Sequence, residues 1–130
     1  MKKHILAIDD EAEIRDLLAE ALTLRGYRVS TAADAEQAKK VVQEDPPQLV
    51  IMDFQIEDGD GFVLMDEVKR LGPGIPILLL TGALFDRNVV RETIEKRVSR
   101  YLDKTTSLTT IIAEIEKLLV DSAPASVARS

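Results

Sequence analysis

The chain contains no cysteine and no tryptophan among its 130 residues. The lack of cysteine excludes disulfides, thiolate metal sites and a cysteine nucleophile, and is compatible with a reducing cytoplasm, where we expect this protein. No stretch approaches the roughly 20 apolar residues that cross a bilayer, and the apolar run after His4 ends at Asp9, too early for a signal peptide. With 23 acidic against 17 basic residues and a formal net charge of −6, we expect no direct binding of nucleic acid or membranes.

Five short segments have the composition of strands. Residues 5–8, 49–52 and 77–80 are apolar runs, rich in branched side chains and without alternation, which is typical of strands buried on both faces of a parallel sheet. Residues 27–31 alternate and residues 100–102 are brief and partly polar. These two segments suit the edges of a sheet, where one face meets water.

Apolar residues at helical spacing predict a helix after each strand. Gly26 is the expected C-cap of the first helix, and Asp34 and Ser107 are the expected N-caps of the second and the last. The five apolar stripes are Ile14, Leu17, Leu18, Ala21 and Leu22; Val41 and Val42; Met65, Val68 and Leu71; Val89, Val90, Thr93 and Ile94; and Leu108, Ile111, Ile112, Ile115, Leu118 and Leu119.

This alternation of strands and helices predicts an α/β fold with a parallel five-stranded sheet covered by helices on both faces. The edge-like second and fifth strands match the flavodoxin-like, doubly wound (βα)5 arrangement with strand order 2-1-3-4-5. We expect one domain over residues 1–120. Residues 121–130, mostly Ala, Ser, Pro and Val, are expected to form a flexible tail or the start of a linker.

The strand order also predicts where a ligand binds. In an open α/β sheet, ligands bind beyond the carboxyl ends of the strands, where the order reverses, which here is between the first and third strands. The polar residues that follow the strands there are Asp9, Asp10 and Glu11 after the first, Asp53 after the third, Thr81 after the fourth and Lys104 after the fifth.

These residue types together indicate phosphoryl-transfer chemistry. Carboxylates crowded at one place repel each other and require raised pKa values or a bound cation, and hard oxygen ligands suit Mg²⁺. A divalent cation, a lysine and a hydroxyl can together neutralise a transferring phosphoryl group. Asp53 stands alone at the end of the middle strand, and a carboxylate is a competent phosphoryl acceptor.

The set Asp9-Asp10, Asp53, Thr81 and Lys104 resembles the active site of bacterial response-regulator receiver domains, including those of chemotaxis-regulator type, over about residues 3–120. The resemblance implies a two-component signalling switch and not a turnover enzyme. Its implied partners are a sensor histidine kinase or histidine phosphotransfer protein as the phosphoryl donor, and a downstream protein or output domain. Homodimerisation is a further possibility within this family.

The resemblance also implies a role for each residue. Asp53 is the implied phosphoacceptor, and Tyr101 is the aromatic residue implied to change rotamer as Thr81 moves toward phosphate. The implied contacts are, for Mg²⁺, Asp9, Asp10, Asp53 and the backbone carbonyl of Gln55, and for the phosphoryl group, Thr81 and Lys104.

Four positions depart from the family pattern. Thr105 follows Lys104 where the family usually has proline after a cis peptide, and a cis bond without proline costs about 3 kcal/mol or more. A trans bond here can place Lys104 differently. Glu57 replaces another frequent proline, and Arg97 and Gly82 replace a usual glycine and a common alanine.

Some of these residues also have simpler interpretations. Asp9 and Asp10 can each be read as caps of the first helix, and His4, the single histidine, as a solvated or strand-start residue. Because of Thr105 and Glu57, a receiver-like interaction module that acts without phosphorylation stays open. A phosphatase with an aspartate nucleophile is disfavoured, because Gln55 stands where such hydrolases resembling haloacid dehalogenases carry a second aspartate.

Overall fold

The computed structural model describes residues 2–53, 61–81 and 98–121, with the side chains of residues 61, 62, 81 and 121 left aside. Strands and helices alternate through most of this part of the chain. In chain order the elements are β1 (His4–Ile8), α1 (Ala12–Leu24), β2 (Arg28–Ala32), α2 (Ala35–Glu44), β3 (Leu49–Met52), α3 (Gly61–Leu71), β4 (Ile77–Thr81), β5 (Arg100–Asp103) and α4 (Leu108–Asp121).

The five strands form one parallel sheet in the order β2-β1-β3-β4-β5, as predicted. The register sets Ile8, the last residue of β1, beside Met52, the last residue of β3. These two strands are therefore followed at the same level by an aspartate, which is Asp9 after β1 and Asp53 after β3. The fold thus brings two carboxylates together at the carboxyl edge of the sheet.

The core lies on both faces of the three central strands. Residues of β1, β3 and β4 alternate between two buried clusters, one packed on α2 and α3 and the other on α1 and α4. All described residues of β1 and β3 are buried, whereas β5 is mostly exposed. This distribution explains why the central strands are continuously apolar and the edge strands are not.

The predicted N-caps Asp34 and Ser107 are confirmed, whereas the C-cap of α1 is Arg25 and not the predicted Gly26. Gly26 has φ of 95° and follows the C-cap Arg25, so it occupies the left-handed position that suits glycine just beyond a helix. The Asp34 side chain accepts a hydrogen bond from the N–H of Gln37, and the Ser107 hydroxyl accepts one from the N–H of Thr110. Both are N-cap interactions that satisfy helix-terminal donors.

The apolar stripe predicted for α1 is too wide. Leu18 and Leu22 are buried, but Leu17 is 50% exposed. A helix that lies on a sheet buries only the side chains directed at the sheet, and Leu17 lies at the margin of that face. The predicted helix around residues 89–94 and residues 122–130 of the predicted tail lie outside the described residues. Within the described part of the chain, no helix has the length and apolarity needed to cross a membrane.

Candidate functional site

The backbone holds Asp9 and Asp53 in place. The Asp9 N–H donates to the carbonyl of Ala32 at 3.1 Å, and the Asp53 N–H donates to the carbonyl of Ile8 at 3.0 Å. Both hydrogen bonds extend the parallel ladders one residue beyond the strands. Asp9 is 3% exposed and Asp53 is 4% exposed, so both carboxylates are buried at the predicted edge.

The turn between β1 and α1 is organised around Asp9. Its carboxylate Oδ1 accepts a hydrogen bond from the N–H of Glu11 at 2.9 Å. Its carbonyl oxygen accepts one from Nη1 of Arg15 in α1 at 2.7 Å. The one signal for Arg15 in the sequence is that it is the first basic residue after the acidic triplet Asp9-Asp10-Glu11, and this signal alone does not predict the contact. Asp10 and Glu11 are exposed.

Lys104 reaches three carboxylates with one ammonium group. Its Nζ lies 2.8 Å from Oδ2 of Asp53, 3.0 Å from Oδ2 of Asp9 and 2.7 Å from Oε1 of Glu11. An ammonium has three N–H donors, so each can face one carboxylate. The described residues contain no cis peptide bond, and Lys104 contacts Asp53 although Thr105 follows it.

The electrostatics of the site are set by burial and by these contacts. Burial raises the pKa of Asp9, opposed by the hydrogen bond from the Glu11 N–H and by Lys104. For Lys104, burial alone favours the neutral amine, but hydrogen bonds to Asp53, Glu11 and Asp9 outweigh it and raise the pKa of the amine. The lysine therefore stays charged within a cluster that contains more acids than bases.

The acidic cluster has the chemistry of a divalent-cation site. One carboxylate oxygen each from Asp9, Asp10, Glu11 and Asp53 can be chosen so that all four lie within 4.8 Å of one another. Among the described residues, Lys104 forms ion pairs with three of these four acids, and the Arg15 guanidinium contacts the Asp9 carbonyl and not a carboxylate. Hard oxygen donors with uncompensated negative charge fit Mg²⁺. Glu11 lies in this cluster although it is not one of the predicted ligands, and Gln55 lies outside the described residues.

The other predicted residues are only partly placed. Thr81 ends β4 and pairs with Asp103 of β5, which puts it at the same edge of the sheet, and its side chain is not described. Tyr101 lies in β5 and is 37% exposed, and burial raises the pKa of its hydroxyl. Residues 57, 82 and 97, where the sequence departs from the family, are outside the described part.

His4 is not part of this site. It begins β1, at the opposite end of the strand from Asp9, which confirms the strand-start prediction. The solvated alternative is wrong, because His4 is only 1% exposed. Its Nε2 lies 2.6 Å from the Ser30 hydroxyl of the neighbouring strand β2, whereas its Nδ1 is buried without a hydrogen-bond partner among the described residues.

Comparison with known proteins agrees with the fold. The family described as the response regulator receiver domain matches residues 5–116. The chain belongs to this family, the receiver domains of two-component signalling systems. The flavodoxin-like fold predicted from the sequence is the fold of these domains.

Individual relatives are regulators of transcription. The chain is 31% identical over 123 residues to the transcriptional regulatory protein GlrR of Escherichia coli, covering 95% of this chain and 28% of that protein. It is 32% identical over 124 residues to the phosphate regulon transcriptional regulatory protein PhoB of Pseudomonas aeruginosa, covering 94% and 54% respectively. The chain thus spans from about a quarter to about half of the length of these relatives.

Solved structures show the same architecture. The receiver domain of NtrX from Brucella abortus is 30% identical, with a TM-score of 0.80 over 88% of this chain and 97% of that one. A CheY-like receiver domain protein from Methanospirillum hungatei, at 24% identity, has a TM-score of 0.86 over 94% and 97% of the two chains. The second likeness concerns the fold alone.

Proposed function

We propose that the chain is a phosphorylation switch in which Asp53 accepts a phosphoryl group with Mg²⁺ as cofactor. The donor is a phosphohistidine on a sensor histidine kinase or a histidine phosphotransfer protein. The observation that carries this proposal is the contact of one buried carboxylate, Asp53, with Lys104 inside a cluster of further acids. Residues 1–120 form the receiver, and residues 121–130 form a tail or linker.

The residues divide the work of the transfer. A carboxylate oxygen of Asp53 attacks phosphorus while the phosphorus–nitrogen bond of the donor breaks, which gives an acyl phosphate on Asp53. Asp9, Asp10, Asp53 and the backbone carbonyl of Gln55 would hold Mg²⁺, which would supply positive charge to offset the phosphoryl oxygens. Lys104, 2.8 Å from Asp53, is already placed to pair with a phosphoryl oxygen.

The switch is read out at the neighbouring strands. Thr81 ends β4, beside the strand that carries Asp53, and its hydroxyl hydrogen-bonds the phosphoryl group in this proposal. Tyr101 changes rotamer with it, and the altered surface around β5 favours a downstream protein, an output domain or a second copy of the chain. Phosphorylation thus shifts a population between two states, and the chain modifies itself without turning over an external substrate. A cytoplasmic location fits such a switch.

The test is incubation with acetyl phosphate and Mg²⁺ followed by intact-mass measurement. We expect one phosphoryl adduct in the wild-type chain and none in Asp53→Asn or in the presence of EDTA. Asp16→Asn, an exposed aspartate of α1, is the matched control and should be labelled normally. Absence of an adduct in the wild type, where a reference receiver is labelled, would overturn the proposal in favour of a phosphate-independent interaction module.

A further inference from the structure

Glu11 occupies the N-cap position of α1 without capping the helix. In the described part of the chain, the Glu11 carboxylate accepts no hydrogen bond from the backbone N–H groups of the first turn of α1. Its Oε1 instead accepts a hydrogen bond from Nζ of Lys104 at 2.7 Å, between residues 93 positions apart in the chain. Helix N-caps are normally serine, threonine, aspartate or asparagine, which stabilise the helix locally. A residue that departs from the local N-cap preference and makes a long-range contact at the site is a candidate for a role there.

The three carboxylates around Lys104 have different fates during phosphoryl transfer. The charge of Asp53 is lost from the carboxylate when it becomes an acyl phosphate. Asp9, 3% exposed, is a proposed metal ligand, and a bound cation competes with Lys104 for its oxygens. Glu11 is outside the proposed ligand set and its side chain is 59% exposed. It is therefore the one of the three partners that neither the phosphoryl group nor the proposed ligand set engages.

We propose that Glu11 is a positioning residue that holds the Lys104 ammonium over Asp53 before and after phosphoryl transfer. The inference rests on the proposed function and deepens it. Lys104 is a long, flexible side chain, and the entropy of ordering it opposes any single geometry. A third carboxylate that keeps its contact while the others change limits that freedom. In this proposal Glu11 acts through its ion pair with Lys104.

The Glu11 charge also has an effect that changes the rate of Asp53 phosphorylation in the opposite direction. A carboxylate near the site repels an incoming phosphoryl group, because both groups are negatively charged. If repulsion were its main effect, removing the charge would accelerate phosphorylation. If positioning dominates, removal slows it. The direction of the rate change therefore decides between the two effects.

The first experiment measures the order of the Lys104 side chain in the unphosphorylated protein. NMR relaxation of the Lys104 ε-methylene is compared in wild type, Glu11→Gln and Glu13→Gln. Glu13 is the matched control, because it is an exposed acid in the first turn of the same helix. We expect the order of the Lys104 side chain to fall in Glu11→Gln only. Unchanged order in Glu11→Gln would overturn the proposal.

The second experiment measures the rate of Asp53 phosphorylation by acetyl phosphate with Mg²⁺ in the same three proteins. We expect Glu11→Gln to be about two- to fivefold slower, the range of one partly exposed ion pair, and Glu13→Gln to match wild type. A Glu11→Gln rate equal to or above wild type would overturn the positioning role. If the wild type itself takes up no phosphoryl group, the proposed function fails, while the NMR comparison still decides whether Glu11 orders Lys104.

Discussion

At the carboxyl end of the sheet one lysine faces three carboxylates, whereas at the amino end one carboxylate is matched by one guanidinium. Arg28 donates two hydrogen bonds to Asp45, one of them 3.0 Å long, and both side chains are about half exposed. The buried His4 lies next to this pair, with its Nδ1 3.7 Å from Oδ1 of Asp45 and its Nε2 on Ser30. Both ends contain a buried ionisable side chain, and among the ion pairs of the described residues those at the carboxyl end have more acids than bases.

The pKa values follow this difference. Burial raises the pKa of Asp9 at the carboxyl end, whereas the hydrogen bond from Arg28 lowers the pKa of Asp45 at the amino end. A buried acid with a raised pKa is typical of functional sites, whereas an exposed acid paired with a base is typical of structural contacts. The amino end thus pairs its charges within the protein, whereas the carboxyl end carries an acidic cluster that could hold a metal ion.

The largest effect on stability is expected when the Lys104 ammonium is removed. In Lys104→Met, the buried carboxylates of Asp9 and Asp53 lose their shared cation, and we expect a loss of about 2–4 kcal/mol in the free energy of unfolding at pH 7 without Mg²⁺. Adding Mg²⁺ should stabilise this variant more than wild type, because the cation supplies the missing charge. Urea denaturation with and without Mg²⁺ measures both effects.

The control for that experiment is Lys117→Met, which removes an exposed lysine of α4 and should change stability by no more than about 0.5 kcal/mol. A Lys104→Met protein as stable as the control in metal-free buffer would contradict the claim that Lys104 compensates buried charge.

A smaller effect is expected at the amino end. Ser30→Ala removes the hydroxyl that contacts Nε2 of His4 and leaves a polar atom of a buried ring without that partner. We expect a loss of about 1–2 kcal/mol in the free energy of unfolding, and the same loss with and without Mg²⁺. Thr31→Ala, at the next and exposed position of β2, is the comparison. A Mg²⁺-dependent effect of Ser30→Ala would break the separation of the two ends.

The smallest effect is in the pH dependence of stability. For Asp9 the pKa in the folded state lies above the ordinary value of 3.8. At pH values between 3.8 and the folded pKa, the folded state therefore binds more protons than the unfolded state. The free energy of unfolding then falls as pH rises through this interval. For Asp45 the folded pKa lies below 3.8, so its stabilisation is present above that value and is lost as pH falls through the folded pKa.

We therefore expect Asp9→Asn and Asp45→Asn to change the acid limb of the stability curve in opposite directions. Thermal unfolding from pH 2 to 7 in metal-free buffer measures both changes. In the wild type, Asp9 makes stability fall as pH rises and Asp45 makes stability increase as pH rises, and we expect each variant to lose its own contribution. Changes of the same sign in both variants would mean that the two ends are not electrostatically distinct.

The central strands were predictable because they are buried on both faces. Their apolar runs place β3 at its observed bounds and β4 within one residue, and the alternation with helices leads to the strand order. The edge strand β2 was placed one residue early, since half-exposed strands carry a weaker pattern. Leu17 shows the corresponding limit for helices, because spacing alone does not tell how wide a face the sheet covers.

The site divides in the same way. The positions of Asp9, Asp53 and Lys104 at strand ends follow from the sequence once the strands are recognised, because parallel strands end at one edge. The contacts of Glu11 with Lys104 and of Arg15 with the Asp9 carbonyl do not follow. Each depends on where a long side chain finds its partner after the helix has docked on the sheet.

The sequence by itself therefore determined the order of elements, the strands that are central and the edge at which the acids gather. These properties depend on local patterns of burial and on the geometry shared by all parallel sheets. Only the tertiary structure decided which carboxylates share Lys104 and why His4 is buried. Such pairings join residues far apart in the chain, and they are set by distances of a few ångströms that no local pattern encodes.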